Sequence, residues 1–256
     1  MVIRLQVSMH SNLIYANFDP RFNVVSLPYQ FADYDAVDKA MNGAGGQELK
    51  DLLKDYGLVC GGIGENGFRQ ITNSKQPIKS VDDLKSVKMR ISSNDLSAEI
   101  YKEWGCSASA MNWAETYTAL QQGTIDGQEN PVTAIASASV QDVQDYISLW
   151  DAYYDCLFFC MNEDVYNQFT PEQQKAVSEN MQKAADYEKA INRAQVEEVV
   201  ANWQKTGDMQ VTTVDEIDSD SFKKASEGAY PWFESQIEKS AGMSEDDAKS
   251  FVEAFQ

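Results

Sequence analysis

Apolar and polar positions along this chain change period repeatedly, between strict alternation and a spacing of three to four residues. Val87-Lys88-Met89-Arg90-Ile91 alternates, as a half-buried strand does. Residues 153–161 form an apolar run of buried-strand type, and residues 1–7 read as a strand already under way. Shorter strands are expected over 23–27, stopped by Pro28, and over 58–60, 68–72, 106–108, 126–129 and 211–214. Helical stretches lie between them: 33–42, broken by Gly43, Gly45 and Gly46; 48–56, closed by Gly57; one turn at 81–85; and 94–104, ended by Gly105. Asn112 starts another, with Glu115 placed as its capping-box partner, and Pro131 can open the next at its first position.

Thr170-Pro171-Glu172-Gln173 combines a cap, a proline at the first helical position and a capping-box glutamine. Neither Gly nor Pro follows until Gly207. The implied helix is roughly 35 residues and ~50 Å long at 1.5 Å per residue, without the sustained apolar heptads of a coiled coil. In a chain of this size it is expected to span two lobes. Strands alternating with helices predict α/β layers built mostly on parallel sheet.

The 256 residues fit one large domain or two small ones. Against 21 basic residues stand 40 acidic ones, a net charge of -19. This argues against a nucleic-acid partner, because phosphate contacts need clustered Lys and Arg. It also disfavours anionic lipid. Apolar runs fall short of the ~20 residues a membrane helix needs. The first residues lack the basic start, apolar middle and cleavage site of a secretory signal. The chain is therefore expected either to stay in the cytoplasm or to have lost a leader and more.

His10 is the one histidine, which excludes a multi-histidine metal site. Cys60, Cys106, Cys156 and Cys160 include no C-x-x-C pair and read as buried free thiols. Gly62-Ile63-Gly64-Glu65-Asn66-Gly67 matches the dinucleotide-binding G-x-G-x-x-G, but β-type alternation follows it where a helix N-terminus is required. The glycines are expected instead to let the chain cross between lobes. Asp126 and Glu129 are too ill-placed on one strand for paired acid–base work, and a cap and a salt bridge explain them better.

Only five basic residues are Arg: Arg4, Arg21, Arg69, Arg90 and Arg193. Arg69 lies between Phe68 and Ile71, and Arg90 between Met89 and Ile91, both in apolar strand patterns. A buried guanidinium is costly unless paired. It can hold an internal carboxylate, or it can face a cleft and take the carboxylate of a guest through two parallel hydrogen bonds. Composition leaves these two readings even. Trp113, in the first turn of a helix, is either core packing or an aromatic wall for an organic anion.

Tyr117-Thr118-Ala119-Leu120-Gln121-Gln122-Gly123-Thr124-Ile125-Asp126-Gly127-Gln128-Glu129-Asn130-Pro131 strongly resembles a signature of TRAP-transporter solute-binding proteins, the DctP-type subunits of tripartite ATP-independent periplasmic transporters. Supporting pieces are Ser26-Leu27-Pro28-Tyr29-Gln30-Phe31, Gly67-Phe68-Arg69 with Pro77-Ile78, Asp83-Leu84-Lys85 leading to Lys88-Met89-Arg90, and the start of the long helix at Thr170.

The resemblance implies a two-lobed α/β periplasmic-binding-protein-like fold with a hinge and one long lobe-spanning helix. Lobe I would comprise 1–66 plus 156–193, and lobe II 67–155 plus 194–256. Relatives usually carry further strands and helices before the point where this chain starts, so the first lobe is expected to be incomplete. The resemblance makes Arg90 the ligand's carboxylate clamp. Arg69, Asn130 and Trp113 become further ligand-binding residues, with Asp151, Tyr153 and Gln128 as secondary candidates. Many relatives place a histidine near Trp150-Asp151-Ala152-Tyr153, where this chain has none. Tyr153 and Tyr154, with Trp113, suggest a ring or sugar face.

The function so implied is capture of a small organic acid (a sugar acid, dicarboxylate, keto acid or aromatic acid) and delivery to TRAP membrane subunits. It needs no cofactor, metal or catalysis, and places the protein in the periplasm. Competing readings are a nicotinamide-dependent enzyme using the loop Gly62 to Gly67, and a carboxylate sensor that does not transport.

Overall fold

The computed structural model of the chain describes residues 6–256. The strand expected from residue 1 therefore lies partly outside the described residues. Within them the strands are β1 (Val7–Ser11), β2 (Leu58–Asn73), β3 (Lys88–Ile91), β4 (Ser107–Ala110), β5 (Gly127–Pro131), β6 (Tyr146–Ser148), β7 (Tyr154–Asn162) and β8 (Gln210–Thr212).

The expected strands at 58–60 and 68–72 are one continuous strand of 16 residues, β2, shared by two sheets. Its first part pairs antiparallel with β7, from Leu58 opposite Asn162 to Phe68 opposite Tyr154, and β1 lies antiparallel on the far side of β7. Its second part pairs antiparallel with β5, from Arg69 opposite Pro131 to Asn73 opposite Gly127, and with β6 on its other edge. Parallel pairing joins β3 to β4 and β5, and β6 to β8. The sheets are thus mixed rather than mostly parallel, because β2, β5, β6 and β7 meet antiparallel. Bulges fall between Cys60 and Gly62 and between Glu65 and Gly67. At the second one Gly67 adopts φ +111, a conformation open to glycine and strained for other residues.

The motif Gly62-Ile63-Gly64-Glu65-Asn66-Gly67 lies wholly inside β2, with strand continuing to Asn73. No helix N-terminus follows it to hold a pyrophosphate, so the nicotinamide reading is not favoured. The glycines serve a close approach. A Cβ on Gly62 would stand 2.8 Å from Ala185 Cβ and 2.9 Å from the Met181 carbonyl oxygen, and one on Gly61 2.5 Å from Met181 Cβ. Met181 and Ala185 belong to the long helix, Pro171–Thr206, of 36 residues. Its ends follow from local chemistry: Thr170 and Gln173 form the capping box, Pro171 sits at the start, and Gly207 closes it left-handed.

That helix touches both sheets. Asn192 donates to the carbonyl oxygens of Glu65 and Asn66 on β2 and accepts from the Thr133 hydroxyl. Further on, Trp203 packs in a cluster with Ile135, Ile147 and Met209. Arg193 binds Glu65 and Asp38 and lies over the Tyr34 ring.

Two local expectations are overturned. Residues 23–27 are not a strand; Pro20–Ser26 is a 3-10 helix, because Asp19 caps the Arg21 amide and Pro20 fixes the entry. Gly45 and Gly46 do not break a helix but lie inside Ala44–Lys54, since their bare backbones fit against Phe255 and the Met41 carbonyl. His10 sits exposed on β1, opposite Phe158. The four cysteines are free, with all but Cys60 buried.

Gly62→Ala is expected to force the long helix off β2 and cost about 1–3 kcal/mol, the usual range for overpacking. A urea titration that leaves the unfolding midpoint unmoved would contradict this contact.

Candidate functional site

Where β2 passes from one sheet to the other, a cavity of about 430 Å³ opens, within the range of small-molecule sites. Its floor holds Arg69, Arg90, Asn130 and Asp155, and its rim holds Trp113 and Asn112. Ser11, Leu13, Ile14, Ser92, Ser93 and Met111 also line it.

Arg69, 2% exposed, fills its fork with protein partners. Nε donates to the Glu129 carboxylate, Nη1 to Asp155 Oδ2 at 2.6 Å, and Nη2 to Asn130 Oδ1 at 3.0 Å. Glu129 is itself fully buried. Burial pulls this guanidinium down, but Glu129 and Asp155 outweigh it, so it ends above its ordinary value. The internal-carboxylate reading therefore holds for Arg69, although it also lines the cavity.

Arg90 differs. At 3% exposed, it donates through Nε and Nη2 to one carbonyl oxygen, that of Met111, at 2.9 and 2.6 Å. It makes no salt bridge among the described residues. Burial lowers its pKa, and Glu129 nearby offsets this only in part. A guanidinium taken out of water without an anion is an unfinished site. Its Cζ lies 5.6 Å from the centre of the Trp113 ring, which is 37% exposed.

Local sequence explains these positions. Alternation on β3 puts Arg90 on the face opposite Met89 and Ile91, and both faces are buried there; Arg90 stands opposite Gln128 of β5. Trp113 opens the helix Trp113–Gln121 after Asn112. Asn112 caps no amide with its side chain, contrary to the capping-box expectation, and lines the cavity instead. Asp126 pairs with Lys75 and accepts from the Lys88 amide, and Glu129 is spent on Arg69, which leaves no acid–base pair.

Of the expected site residues, Arg69, Arg90, Asn130 and Trp113 come together. Asp151, Tyr153 and Gln128 do not line the cavity. Asp151, at φ +46, accepts from the Gln70 side chain, and burial pushes its carboxyl up. Tyr153 is buried against Trp150, its carbonyl taking the Arg69 amide. Gln128 is buried and bonded to Thr72. Tyr154 is no sugar face, because its ring packs on Phe31 and Phe68 and its hydroxyl reaches Glu65. Asp155 is the residue that sequence reasoning missed. It is a carboxylate inside an apolar run, the same signal that marks the two arginines.

The profile of the bacterial extracellular solute-binding proteins, family 7 (DctP), matches residues 4–236. The chain belongs to this family. A solute-binding protein of Verminephrobacter eiseniae is 34% identical over 88% of this DctP-family chain and 66% of its own length. The 2,3-diketo-L-gulonate-binding periplasmic protein of Escherichia coli is 29% identical over 86% of the chain and 66% of its own. The chain thus spans about two thirds of the length of both relatives. A TRAP periplasmic solute-binding protein of a Polaromonas species, solved with D-erythronate, superposes with a TM-score of 0.85 at 31% identity. That match covers 98% of this chain and 78% of the other. The two-lobed fold is therefore that of TRAP solute-binding proteins. Among the described residues no helix is long and apolar enough to cross a membrane.

Arg69→Met strands two buried carboxylates and is expected to cost about 3–5 kcal/mol. Arg90→Met removes no ion pair and is expected to leave stability near the parent value or above it. Urea unfolding of both variants checks this, and equal losses would contradict the assignment.

Proposed function

We propose that the chain captures a small organic carboxylate between two lobes and delivers it to the membrane subunits of a TRAP transporter. The observation that carries this reading is Arg90: desolvated, on the floor of a cavity, and facing no carboxylate of its own. A guest carboxylate supplies the missing anion through charge-assisted bonds of roughly 1.5–3 kcal/mol each. Trp113 walls the bound group, and Asn130, held by Arg69 and by Gln128, offers a fixed polar edge. The named ligands of the two relatives, a diketo sugar acid and a four-carbon sugar acid, fit this chemistry.

Capture needs no bond broken and so no general base. Lobe closure excludes water and strengthens the ion pair. We place the hinge at residues 66–67, 155–156 and 193–194, which joins 1–66 with 156–193 and 67–155 with 194–256; Gly67 and its bulge support the first crossing. The net charge of -19 does not prevent anion entry, because screening confines its field to ~8 Å at physiological salt. The reading places the protein in the periplasm, as the names of its relatives do theirs. Aromatic acids remain within reach of the Trp113 wall.

Calorimetry against sugar acids and keto acids tests this. Arg90→Ala is expected to lose at least about 100-fold in affinity, the worth of two charge-assisted bonds. Undiminished binding in that variant removes the proposal. A thermal-shift screen over carboxylates identifies the guest, because binding to the folded state raises its stability.

A further inference from the structure

Resting on that carboxylate reading, we infer that Asp155 sets the charge of the guest: it admits singly charged organic acids and turns away dicarboxylates. Among the described residues three titratable side chains line the cavity, Arg69, Arg90 and Asp155; burial pushes the Asp155 carboxyl up, and its bonds from Arg69, Ser11 and Asn66 work against that. Arg69 already holds two carboxylates, those of Glu129 and Asp155. That cluster therefore carries one negative charge in excess, while Arg90 is bonded only to the Met111 carbonyl oxygen and has no carboxylate bonded to it. One guest carboxylate on Arg90 uses the one lining cation that lacks an anion among the described residues. A second carboxylate would find no further cation on the walls that the described residues form. It would meet Asp155 in a desolvated space, where like charges repel strongly.

Asp155 cannot swing away. Its Oδ1 accepts from Ser11 Oγ at 2.6 Å, and its Oδ2 from Asn66 Nδ2 at 2.9 Å and Arg69 Nη1 at 2.6 Å. Its side chain is 1% exposed. Ser11 stands on β1 and Asn66 on β2, so the strands on either side of β7 both grip it. A carboxylate so fixed accepts hydrogen bonds and donates none, so hydroxyl groups suit it and carboxylates do not. The other polar walls, among them Ser92, Ser93 and Asn112, are neutral. A hydroxylated monocarboxylate matches the whole surface.

Two matched pairs of acids test this by calorimetry on the full chain: D-gluconate against D-glucarate, and succinamate against succinate. Within each pair the skeleton is shared and one charge is added. The singly charged member is expected to bind at least tenfold more tightly in whichever pair binds. Asp155→Asn is expected to shrink that gap to under threefold by improving the doubly charged member. Should the variant fail to fold, the wild-type comparison still decides, because diacids binding as tightly as monoacids overturn the inference. An unchanged gap in a folded Asp155→Asn protein overturns the role of Asp155. Diacid binding that Arg90→Ala abolishes removes the charge filter and leaves carboxylate capture standing. Silence from all four acids removes capture itself, and the filter with it.

Discussion

Two guanidinium groups share one desolvated floor, and only one of them has anions of its own. Arg69 is clamped by Glu129 and Asp155. Arg90 rests on a single backbone carbonyl. In low dielectric such a difference is large, because an uncompensated charge cannot borrow solvation from water. Arg69 ties β2, β5 and β7 together at the point where they converge. Arg90 then stands next to a rigid, already balanced cluster rather than competing for its carboxylates. The same side-chain type is paired at one place in this cavity and unpaired at the other, and the difference lies in the neighbours.

The frame that holds this floor is one strand and one helix. β2 serves two sheets in succession: Gly67 and Phe68 still pair with β7, and Arg69 begins the pairing with β5, while Asn66 is the residue bulged out between Glu65 and Gly67. The helix Pro171–Thr206 lies directly on β2 because Gly61 and Gly62 present no side chain to it. Glu188 adds a carboxylate that accepts the Glu65 amide, and Asn192 and Arg193 add their bonds to the same short stretch. The cavity-lining Arg69, Arg90 and Asn130 are thus carried on regular elements, which hold geometry better than loops.

How much of this is legible in the sequence follows the range of each interaction. Helix ends are readable because caps are local: Thr170, Pro171, Gln173 and Gly207 announce the long helix within a residue of its observed limits. Strand identity is less so. Gly62 and Gly64 look like a cofactor loop or a crossing between lobes until a helix is laid against their strand, and Val24-Val25 looks β-like until Asp19 caps the turn before it. At the site, a charge inside an apolar run is a strong sign, and it finds Arg69 and Arg90. Applied to carboxylates, it finds Asp155 as well. Gln128, Asp151 and Tyr153 lie close to the site along the chain, yet their side chains are taken up by Thr72, Gln70 and the Trp150 cluster. Sequence spacing does not reveal which partner a side chain takes.

Asn192 grips β2 beside the bulge at Gly67 and at the same time Thr133, at the start of the segment that follows β5. A rod fastened on both sides of a pivot cannot stay straight while those sides turn. With the hinge proposed at Gly67, rotation there appears as curvature in the helix or as slip at this one asparagine. Most of the helix surface faces water, so on that proposal the filling of the cleft is written on the outside of the molecule as the shape of a single long helix.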